Sequence, residues 1–392
     1  MRAVGAGLIE LAREPAILIT DYIAVAGVGA AFANAGLLML IAIALLYLLC
    51  IEIGGLSVAA VFLMGGFGLF GKNLINIWPI LLGACIYARL KREDFRAHAH
   101  VALLSTSIAP VVTEFLFCID LALWRRLLLS ILVGVSVGMF ASPLAASAAK
   151  LHRGYNLYNV GFAVGLIGTV YVSIFRSYGY QAYTRLLWST GNNRALGIFL
   201  LSLFVGMIAM GMLLDRRAPK RLLRIFRRAG VVGSDFIKTD GLAASMMNMG
   251  VNGIAAMGYV LLVGGELNGP TIGGILTVAG FGAYGKHVKN IAPIFLGVFL
   301  ASVSKTFSAS DPAILIAALF STSLAPIAGH YGWAWGVAAG FLNSSVVLNA
   351  GFLHGGMNLY NTGFSAGIVA AVMVPLLDAF GKRRARAAGE SA

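Results

Sequence analysis

The chain has 392 residues, of which 59% are hydrophobic and only 11% carry a charge. Soluble domains are roughly 25% charged because their surface faces water, so this composition excludes an ordinary soluble globule. The net charge of +14 sits in short loops and in the C-terminal tail, whereas a nucleic-acid-binding protein concentrates its basic residues in one patch. The composition therefore predicts an integral membrane protein with the lipid bilayer as a partner, and excludes nucleic acid.

The predicted elements begin with an interfacial segment, residues 1–19, which mixes Arg and Glu with apolar residues. Apolar segments follow, and stretches such as 127–147 and 196–214 hold no charge over enough residues to cross ~30 Å of hydrocarbon. We expect an all-α polytopic fold with about ten to fourteen spans. Cys50, Cys85 and Cys118 stand alone in apolar runs and are expected to be buried small hydrophobes.

The chain contains two copies of one unit. The segment GFGLFGKNLINIWPILLG begins at Gly66 and GFGAYGKHVKNIAPIFLG begins at Gly280, with 11 of 18 positions identical. STSIAP later repeats as STSLAP, and HRGYNLYNVGF as HGGMNLYNTGF. Repeat 1 is therefore predicted over residues 20–175 and repeat 2 over 234–378, with a linker over 176–233 and a basic tail over 379–392.

Basic residues predict the orientation of the repeats. The linker holds one apolar span and a basic loop over 216–228, and further Lys and Arg lie between 382 and 386. Cytoplasmic loops are kept basic, which places the loop and the C-terminus inside. Repeat 2 then crosses an even number of times, while the single linker span makes repeat 1 end outside. We therefore expect inverted-topology repeats, a recurrent design of secondary transporters.

A Gly-rich stretch, residues 55–71 in repeat 1 and 269–285 in repeat 2, is the candidate for a segment that does not cross the membrane. Irregular backbone at membrane depth is tolerated where it lines a cavity or is buried in protein. We predict a re-entrant or broken helix here. The alternative is a plain helix whose glycines allow close packing.

The repeated H-x-G-x-N-L-Y-N-x-G-F block places amides and a phenol at the head of an apolar span. Such groups must find partners, water or a solute in hydrocarbon, and bonding between helices is the alternative to solute binding. On a helix, the two amides of each block would share one face, and the preceding histidines, His152 and His354, would lie at the membrane surface or at a helix start. The candidate solute-binding residues are Asn156, Tyr158, Asn159, Asn358, Tyr360 and Asn361.

The two STS-x-A-P segments add hydroxyl groups next to a proline, which removes one backbone donor. This pattern favours a helix break whose freed carbonyls or hydroxyls contact a solute or cation, and a kinked helix with internally bonded hydroxyls is the alternative. The candidate binding residues are Ser105, Thr106, Ser107, Ser321, Thr322 and Ser323.

Both repeats also keep two charged positions. Lys72 and Lys286 are candidates to offset an anionic solute, and Glu52 and Glu266 are candidates to couple transport to a proton or sodium ion. All four residues lie at the edges of apolar runs. The alternative interpretation is that their side chains extend to the membrane–water interface. Asp21 and Asp235 precede apolar runs and are predicted to cap helices rather than to act on a solute.

The sequence carries no zinc-protease motif and no phosphate-binding loop. We therefore expect a protein that is not an enzyme, with no cofactor and no metal.

The duplicated H-x-G-x-N-L-Y-N-x-G-F block, together with the preceding F-G-x-x-G-K, resembles a bacterial family of integral membrane proteins that is filed as a domain of unknown function. This resemblance covers nearly the whole chain and implies a multi-pass protein of the bacterial inner membrane. A second resemblance, over short glycine motifs only, is to the urea transporter family, through the segment from Asn34 to Gly36, GLFGKN and HRGYN. Lys72 stands where the motif of that family has an aromatic residue, and His287 replaces its Asn in repeat 2.

The leading hypothesis is a transporter of a small polar or anionic metabolite, with its site between the two repeats. It requires an accessible central cavity and requires Asn156 and Asn358 not to face lipid. A passive channel for a neutral solute such as urea is the second hypothesis, favoured by a narrow pore without buried ionisable groups. A membrane scaffold or complex subunit is the third, favoured if the duplicated polar residues bond one another with no space between them. A homo-oligomer is compatible with each.

Overall fold

The structure is a computed structural model that describes residues 2–181 and 185–387, and the side chains of residues 3–181 and 185–380. The first nine helices are α1 (Arg2–Arg13), α2 (Tyr22–Leu48), α3 (Gly55–Phe67), α4 (Trp78–Lys91), α5 (Ala99–Ser105), α6 (Pro110–Phe117), α7 (Leu123–Leu151), α8 (Asn159–Ser177) and α9 (Asn193–Leu214). The next nine are α10 (Ala218–Ile225), α11 (Phe236–Asp240), α12 (Leu242–Leu262), α13 (Gly269–Gly280), α14 (Val288–Ser304), α15 (Pro312–Ser321), α16 (Ala325–Tyr331), α17 (Trp333–Leu353) and α18 (Asn361–Ala387).

The chain is a multi-pass helical membrane protein. Seven helices of the described residues, or eight with the bent pair α5–α6, are long and apolar enough to cross a bilayer. Large apolar side chains cover their outer faces: Leu40 on α2 is 61% exposed, Leu132 on α7 is 56% exposed, and Leu213 on α9 is 81% exposed. A soluble surface with that much contiguous apolar area would aggregate, so these faces contact lipid.

This number is lower than the ten to fourteen spans expected from the sequence. The difference arises because several apolar stretches form helices of 10–17 residues, namely Gly55–Phe67, Gly269–Ala283 and Val288–Ser304. A helix of 13 residues is only ~20 Å long at 1.5 Å per residue, short of ~30 Å of hydrocarbon. Apolar composition alone did not separate these short helices from full spans.

The two halves have the same order of elements. The corresponding pairs are α2 with α11–α12, α3 with α13, α4 with α14, α5–α6 with α15–α16, α7 with α17, and α8 with α18. The linker helices α9 and α10 lie between them, and α9 packs along α12. The structure thus shows two homologous halves, as the repeated sequence blocks predicted.

The Gly-rich stretches form α3 and α13, which pack against each other in antiparallel orientation. Gly55, at the start of α3, lies against the carbonyl of Ala283 after the end of α13, and Gly269, at the start of α13, lies against the carbonyl of Leu69. Neither helix continues directly into the next one, so the prediction of broken helices in this region is confirmed.

Each half caps the short helix of the other half. The Asp21 carboxylate accepts hydrogen bonds from the backbone N–H groups of Ile23, in the first turn of α2, and of Gly269, which starts α13 (2.9 and 3.0 Å). The Asp235 carboxylate accepts from Lys238 in α11 and from Gly55 in α3 (3.0 and 2.8 Å). Both aspartates cap helices as predicted, but each also caps a helix of the opposite repeat.

Because α3 and α13 are antiparallel, the two aspartates lie at opposite ends of this helix pair. Helix starts carry backbone N–H groups without partners and a partial positive charge. A carboxylate therefore stabilises the start of each short helix. Asp21 does so from a buried position, whereas Asp235 is partly exposed.

The cysteine expectation was wrong in part, because Cys50 and Cys118 are exposed and Cys85 is partly exposed. The lipid-facing surface of a membrane protein accommodates a small apolar side chain as readily as its interior.

In the N-terminal segment, α1 packs against α2. The basic tail side chains predicted as cytoplasmic, Lys382, Arg383, Arg384 and Arg386, lie outside the described side chains.

Gly66→Ala is expected to lower the unfolding temperature in detergent. A Cβ atom at this position would lie 2.7 Å from the carbonyl oxygen of Gly273, and would therefore push α3 away from α13. Gly206→Ala on α9 is the matched control, because a Cβ atom there meets nothing within 4 Å. It should leave stability unchanged or raise it by roughly 1 kcal/mol through helix propensity. Equal effects of the two substitutions would contradict the close approach of α3 and α13.

Asp21→Ala should destabilise the protein by about 2 kcal/mol or more, because a lost helix cap costs about 1 kcal/mol and this residue caps two helices. Thermal unfolding monitored by tryptophan fluorescence measures the change. Asp120→Ala removes an exposed carboxylate and serves as the control. An Asp21→Ala protein as stable as the Asp120→Ala protein would show that the shared cap is unimportant.

Candidate functional site

Six polar side chains meet where the two halves join, and we call them the central cluster. They are Lys72, Thr106, Tyr158, Lys286, Thr322 and Tyr360. Each is at most 2% exposed, although lysine is among the residue types least often fully buried. The rings of Phe67, Phe281 and Phe320 surround the two tyrosines.

A turn of the backbone after each short helix determines where the two lysines lie. Gly71 follows α3 with φ of +112°, and Gly285 follows the end of the α13 segment with φ of +89°, a conformation that glycine adopts without strain. This turn lets the amide of Lys72 donate to the carbonyl of Phe67 (2.9 Å), and the amide of Lys286 donate to that of Phe281 (3.0 Å). Each lysine thus follows a C-cap of the Schellman type.

A buried amide fixes each of these turns. The side chain of Asn34 in α2 donates to the carbonyls of Gly68 and Lys72 (2.7 and 2.8 Å). Asn248 in α12 donates in the same way to the corresponding carbonyls after α13 (2.7 Å each). Hydrogen-bonded amides of this kind satisfy carbonyls that end a helix away from water. Asn34 and Asn248 therefore hold the lysine positions and are structural in this conformation.

Lys286 is bonded to hydroxyl groups of both halves. Its ammonium group donates to the Tyr158 hydroxyl (2.5 Å) and to the Thr322 hydroxyl (2.7 Å). The same nitrogen lies 4.3 Å from the centroid of the Tyr158 ring, a favourable cation–π distance. These contacts supply oxygen and ring partners to a cation that water does not reach.

Lys72 occupies the corresponding position but lacks such partners. In the described part of the chain, the only hydrogen-bond acceptor of its ammonium group is the Met64 sulfur, at 3.3 Å, and a thioether is a weak acceptor. The Thr106 hydroxyl lies 3.4 Å from this sulfur and donates to the Leu103 carbonyl at 2.6 Å. The hydroxyl of Tyr360, the counterpart of Tyr158, is buried without a partner. The two halves of the cluster therefore differ in how well their polar groups are satisfied.

The N-L-Y-N segments bring each tyrosine into the opposite half. The Leu157 amide of repeat 1 donates to the Ser323 carbonyl of repeat 2 (3.0 Å), and the Leu359 amide of repeat 2 donates to the Ser107 carbonyl of repeat 1 (2.9 Å). As a result, the Tyr158 and Tyr360 rings meet with centroids 4.7 Å apart. Each N-L-Y-N segment thus bonds to the opposite half, just as Asp21 and Asp235 each cap a helix of the opposite half.

The first asparagine of each N-L-Y-N segment bonds backbone groups across the same boundary. Asn156 donates to the Gly363 carbonyl (2.9 Å) and Asn358 donates to the Gly161 carbonyl (3.1 Å). Both are completely buried, so neither faces lipid. The expectation that Asn156 and Asn159 share a helix face was wrong, because α8 begins only at Asn159.

The second asparagine of each segment bonds a histidine. The His152 Nε2 lies 2.9 Å from Asn159 Oδ1, and the His354 Nε2 lies 3.0 Å from Asn361 Oδ1. Both histidines are completely buried and follow the ends of α7 and α17. The expectation of a membrane-surface position or a helix start was therefore wrong. These pairs fasten α7 to α8 and α17 to α18, and they lie outside the central cluster.

The STS segments interrupt the regular α-helical geometry, and the hydroxyls of Ser105, Thr106 and Thr322 donate to carbonyls of the preceding turn, as the kinked-helix alternative predicted. Thr106–Ile108 and Thr322–Leu324 form 3-10 turns between the helices on either side, and α5 and α6 are bent by 45°. The first hydroxyls are bonded: Ser105 donates to the Ala102 carbonyl, and Ser321 accepts from Asn343. The third hydroxyls, of Ser107 and Ser323, are buried without partners in both repeats.

The two glutamates do not belong to the central cluster. Glu52 is 81% exposed at its side chain and pairs with Lys238 at 3.0 Å, in agreement with the surface alternative. Glu266 is partly exposed and accepts a hydrogen bond from the Gly191 amide at 3.1 Å. Neither carboxylate offsets the buried lysines, and none of the ion pairs in the described chain includes Lys72 or Lys286.

The centre is closed in this conformation. Grooves of about 760 Å³ between α2 and α3, and of about 640 Å³ between α7 and α8, are lined by apolar residues and lie outside the cluster. The accessible central cavity that the transporter hypothesis requires is therefore not open here. The buried ionisable lysines also disfavour the second hypothesis, a pore for a neutral solute.

The repeated sequence pattern did not identify every member of this arrangement. Met64 was missed because its counterpart in repeat 2 is Val278, so the search for duplicated polar residues passed over it. The aromatic rings of Phe67 and Phe320 gave no signal that distinguishes them from ordinary core residues. The contact of Asp21 with α13 joins residues 248 positions apart, and no local spacing encodes it.

Fold and cluster together define a duplicated, helical, multi-pass membrane protein whose halves interlock around two buried lysines. The comparison with protein families agrees with this description: the model described as "Protein of unknown function (DUF1576)" matches residues 1–177 and 214–379. The chain belongs to this family, and the resemblance to an integral membrane family with a domain of unknown function is confirmed. No curated protein and no solved structure matches the chain. The likeness to the urea transporters therefore has no support.

Lys72→Met is expected to raise the unfolding temperature, with a gain in the free energy of unfolding of about 1 kcal/mol or more. The reason is that an apolar side chain of similar length replaces a buried ammonium group that has no oxygen partner. Lys286→Met should gain less or lose stability, since it leaves two buried hydroxyls without their shared partner. Lys150→Met on the exposed surface of α7 is the control. A larger loss of stability in Lys72→Met than in Lys286→Met would contradict the observed difference between the two lysines.

Proposed function

We propose that the protein is a membrane transporter of a small polar or anionic metabolite, with its solute site at the central cluster. The observation that carries the proposal is the burial of Lys72 and Lys286 at equivalent positions without any carboxylate partner. Burying an unpaired charge is costly, and ionisable groups inside membrane segments mark solute or ion pathways. A solute anion between the halves would offset this cost.

The architecture supports inverted repeats. Asp21 opens repeat 1 and Asp235 opens repeat 2, and they lie at opposite ends of the antiparallel α3–α13 pair. If these short helices run along the membrane normal, the repeats begin on opposite faces. The basic loop over 216–228 places the Asp235 end, and with it the C-terminus, in the cytoplasm. A bacterial inner membrane is the location we propose.

The closed centre supports a role in alternating access rather than in a static pore. In such transporters the two halves move relative to each other around a site near the bilayer midplane. The proposal therefore requires a second conformation in which the central cluster is open to one side.

The glutamates have a different place in the proposal. Glu52 lies at the surface in an ion pair, so it does not contact a solute at the cluster. Glu266 lies near the start of α13 and accepts from the Gly191 amide of the linker, at the contact between the linker and repeat 2. We assign coupling to a proton or sodium gradient, if present, to Glu266 rather than to Glu52.

The observations also bear on the scaffold hypothesis. Asn156, Asn358 and the two His–Asn pairs are bonded within the protein, as a purely structural role would require. The hydroxyls of Ser107, Ser323 and Tyr360 are not. Since a buried hydroxyl without a partner costs about 1–3 kcal/mol, a scaffold under no functional constraint would gain stability by replacing them.

Uptake into proteoliposomes tests the proposal. Radiolabelled monocarboxylates, dicarboxylates, amino acids and urea would be offered with and without proton or sodium gradients. We expect uptake of at least one anionic or zwitterionic solute that falls by about tenfold or more in Lys72→Met, since a lost hydrogen bond to a charged group is worth about 1.5–3 kcal/mol.

Lys150→Met and Glu52→Gln are the controls, since both change exposed charges and should transport like the unchanged protein. Uptake of urea alone, independent of both lysines, would support the channel hypothesis instead. Absence of uptake for every solute class, with a correctly folded protein, would support the scaffold hypothesis.

A further inference from the structure

The two halves of the central cluster are not equivalent, although their lysines, tyrosines and threonines correspond. Lys286 donates to the hydroxyls of Tyr158 and Thr322. Lys72 instead donates to the Met64 sulfur, and the Tyr360 hydroxyl has no partner. One half is saturated by the protein itself, and the other half keeps unused hydrogen-bonding capacity.

A single sequence difference accounts for this inequality. Met64 is less than one turn before the end of α3, and the corresponding residue of α13 is Val278. A thioether is long enough to lie between Lys72 and Thr106, whose donors are 3.3 and 3.4 Å from the sulfur. Valine is too short to do so, and Lys286 reaches its threonine directly. Because sulfur is a weak acceptor on a flexible side chain, an anionic oxygen can displace it easily.

The chemistry of the unsaturated half defines its ligand. Lys72 supplies one positive charge without a counter-ion, and Tyr360 supplies a hydroxyl without a partner. Thr106 supplies a hydroxyl that donates to the Leu103 carbonyl in this conformation and has to turn toward a ligand to bond it. A carboxylate accepts from all three kinds of group and balances a single charge, since charge-assisted hydrogen bonds are the strong ones. A dianion would bring a second negative charge that Lys286, already bonded, does not face.

The surroundings of the unsaturated half are aromatic. The Phe67 ring lies 5.2 Å from the Lys72 ammonium and 4.8 Å, between centroids, from the Tyr360 ring. Phe320 stacks on Phe67 at 5.5 Å. These rings offer no partners to the hydroxyl groups of a sugar or polyol, which would be left unsatisfied on binding. An apolar or aromatic body next to the carboxylate fits them.

We propose that the solute site is the Lys72 half of the cluster and that it binds one small monocarboxylate with an apolar body. Lys72, Tyr360 and Thr106 contact the carboxylate, which replaces the Met64 sulfur, and the apolar body packs against Phe67 and Phe320. Lys286 remains bonded to Tyr158 and Thr322 and positions Tyr158. The chain therefore binds one anion, in spite of its two lysines. This inference rests on the proposed function and adds the half-site and the solute class.

Equilibrium binding to the purified full-length chain in nanodiscs tests the inference. The probes are sodium benzoate and sodium butyrate, with sodium sulfate as a dianion and sodium chloride to match ionic strength. Calorimetry measures the dissociation constant and the number of sites, and the unfolding temperature provides a second readout. We expect one benzoate per chain. The dissociation constant should rise about 10- to 100-fold in Lys72→Met, since a charge-assisted hydrogen bond is lost.

Met64→Val keeps both lysines and gives repeat 1 the residue of repeat 2. We expect Lys72 to bond Thr106 and Tyr360 in this variant, as Lys286 does with their counterparts, so that benzoate binds about tenfold or more weakly. Met257→Val, at a buried position of α12, is the matched control and should bind like the unchanged protein. Lys286→Met should bind benzoate more tightly than Lys72→Met does.

Several results would overturn the inference. The inference is wrong if calorimetry gives two anions per chain, or if the two lysine variants lose binding equally. It is also wrong if sulfate binds more tightly than benzoate, or if neither carboxylate binds. An equal loss in both lysine variants with intact uptake would overturn the half-site while leaving the transporter proposal in place. Binding that follows the expected pattern without any solute uptake in proteoliposomes would instead overturn the transporter proposal and leave the half-site.

Discussion

The structure depends on one constraint, namely that backbone and charged groups inside a bilayer have to find partners within the protein. In this chain the partners of each half come from the other half. Asp21 binds the start of α13 and Asp235 binds the start of α3. The peptide groups of the two N-L-Y-N segments bond the opposite STS breaks. The halves are thus interlocked by hydrogen bonds rather than by apolar packing alone, which supplies little drive between helices in lipid.

The same constraint explains why polar residues are so frequent in the interior. Most of them satisfy helix ends: Asn34 and Asn248 bind the carbonyls that close the turns after α3 and α13, and His152 and His354 bind the asparagines that begin α8 and α18. When these structural groups are set aside, a much smaller set is left. It contains Lys72, the hydroxyl of Tyr360 and the third hydroxyls of the STS segments. The hydroxyls of Tyr22, Ser142 and Tyr259 also lack partners elsewhere in the interior, so it is the position of this smaller set at or next to the central cluster that separates it.

The lysines illustrate how duplication and divergence act on the same site. Both follow a helix C-cap and both are completely buried. One methionine in place of a valine leaves Lys72 with a weak acceptor, while Lys286 keeps two oxygen partners. A pair of identical charged positions thus becomes one bonded cation and one cation with free capacity. In a protein with two similar halves, such a difference makes the two sides of the centre chemically unequal.

The sequence by itself determined the membrane class, the duplication, the helix breaks at the glycines and at STS-x-A-P, and the capping role of Asp21 and Asp235. These features follow from composition, from repeated blocks and from local backbone chemistry, all of which act over a few residues. It did not distinguish a short apolar helix from a full span, and it placed His152 and Asn156 wrongly because the loop before α8 is held by contacts outside the block. Only the tertiary structure decided which buried polar groups have hydrogen-bond partners. That decision depends on contacts such as Lys286 with Tyr158, 128 positions apart, and no local pattern specifies them.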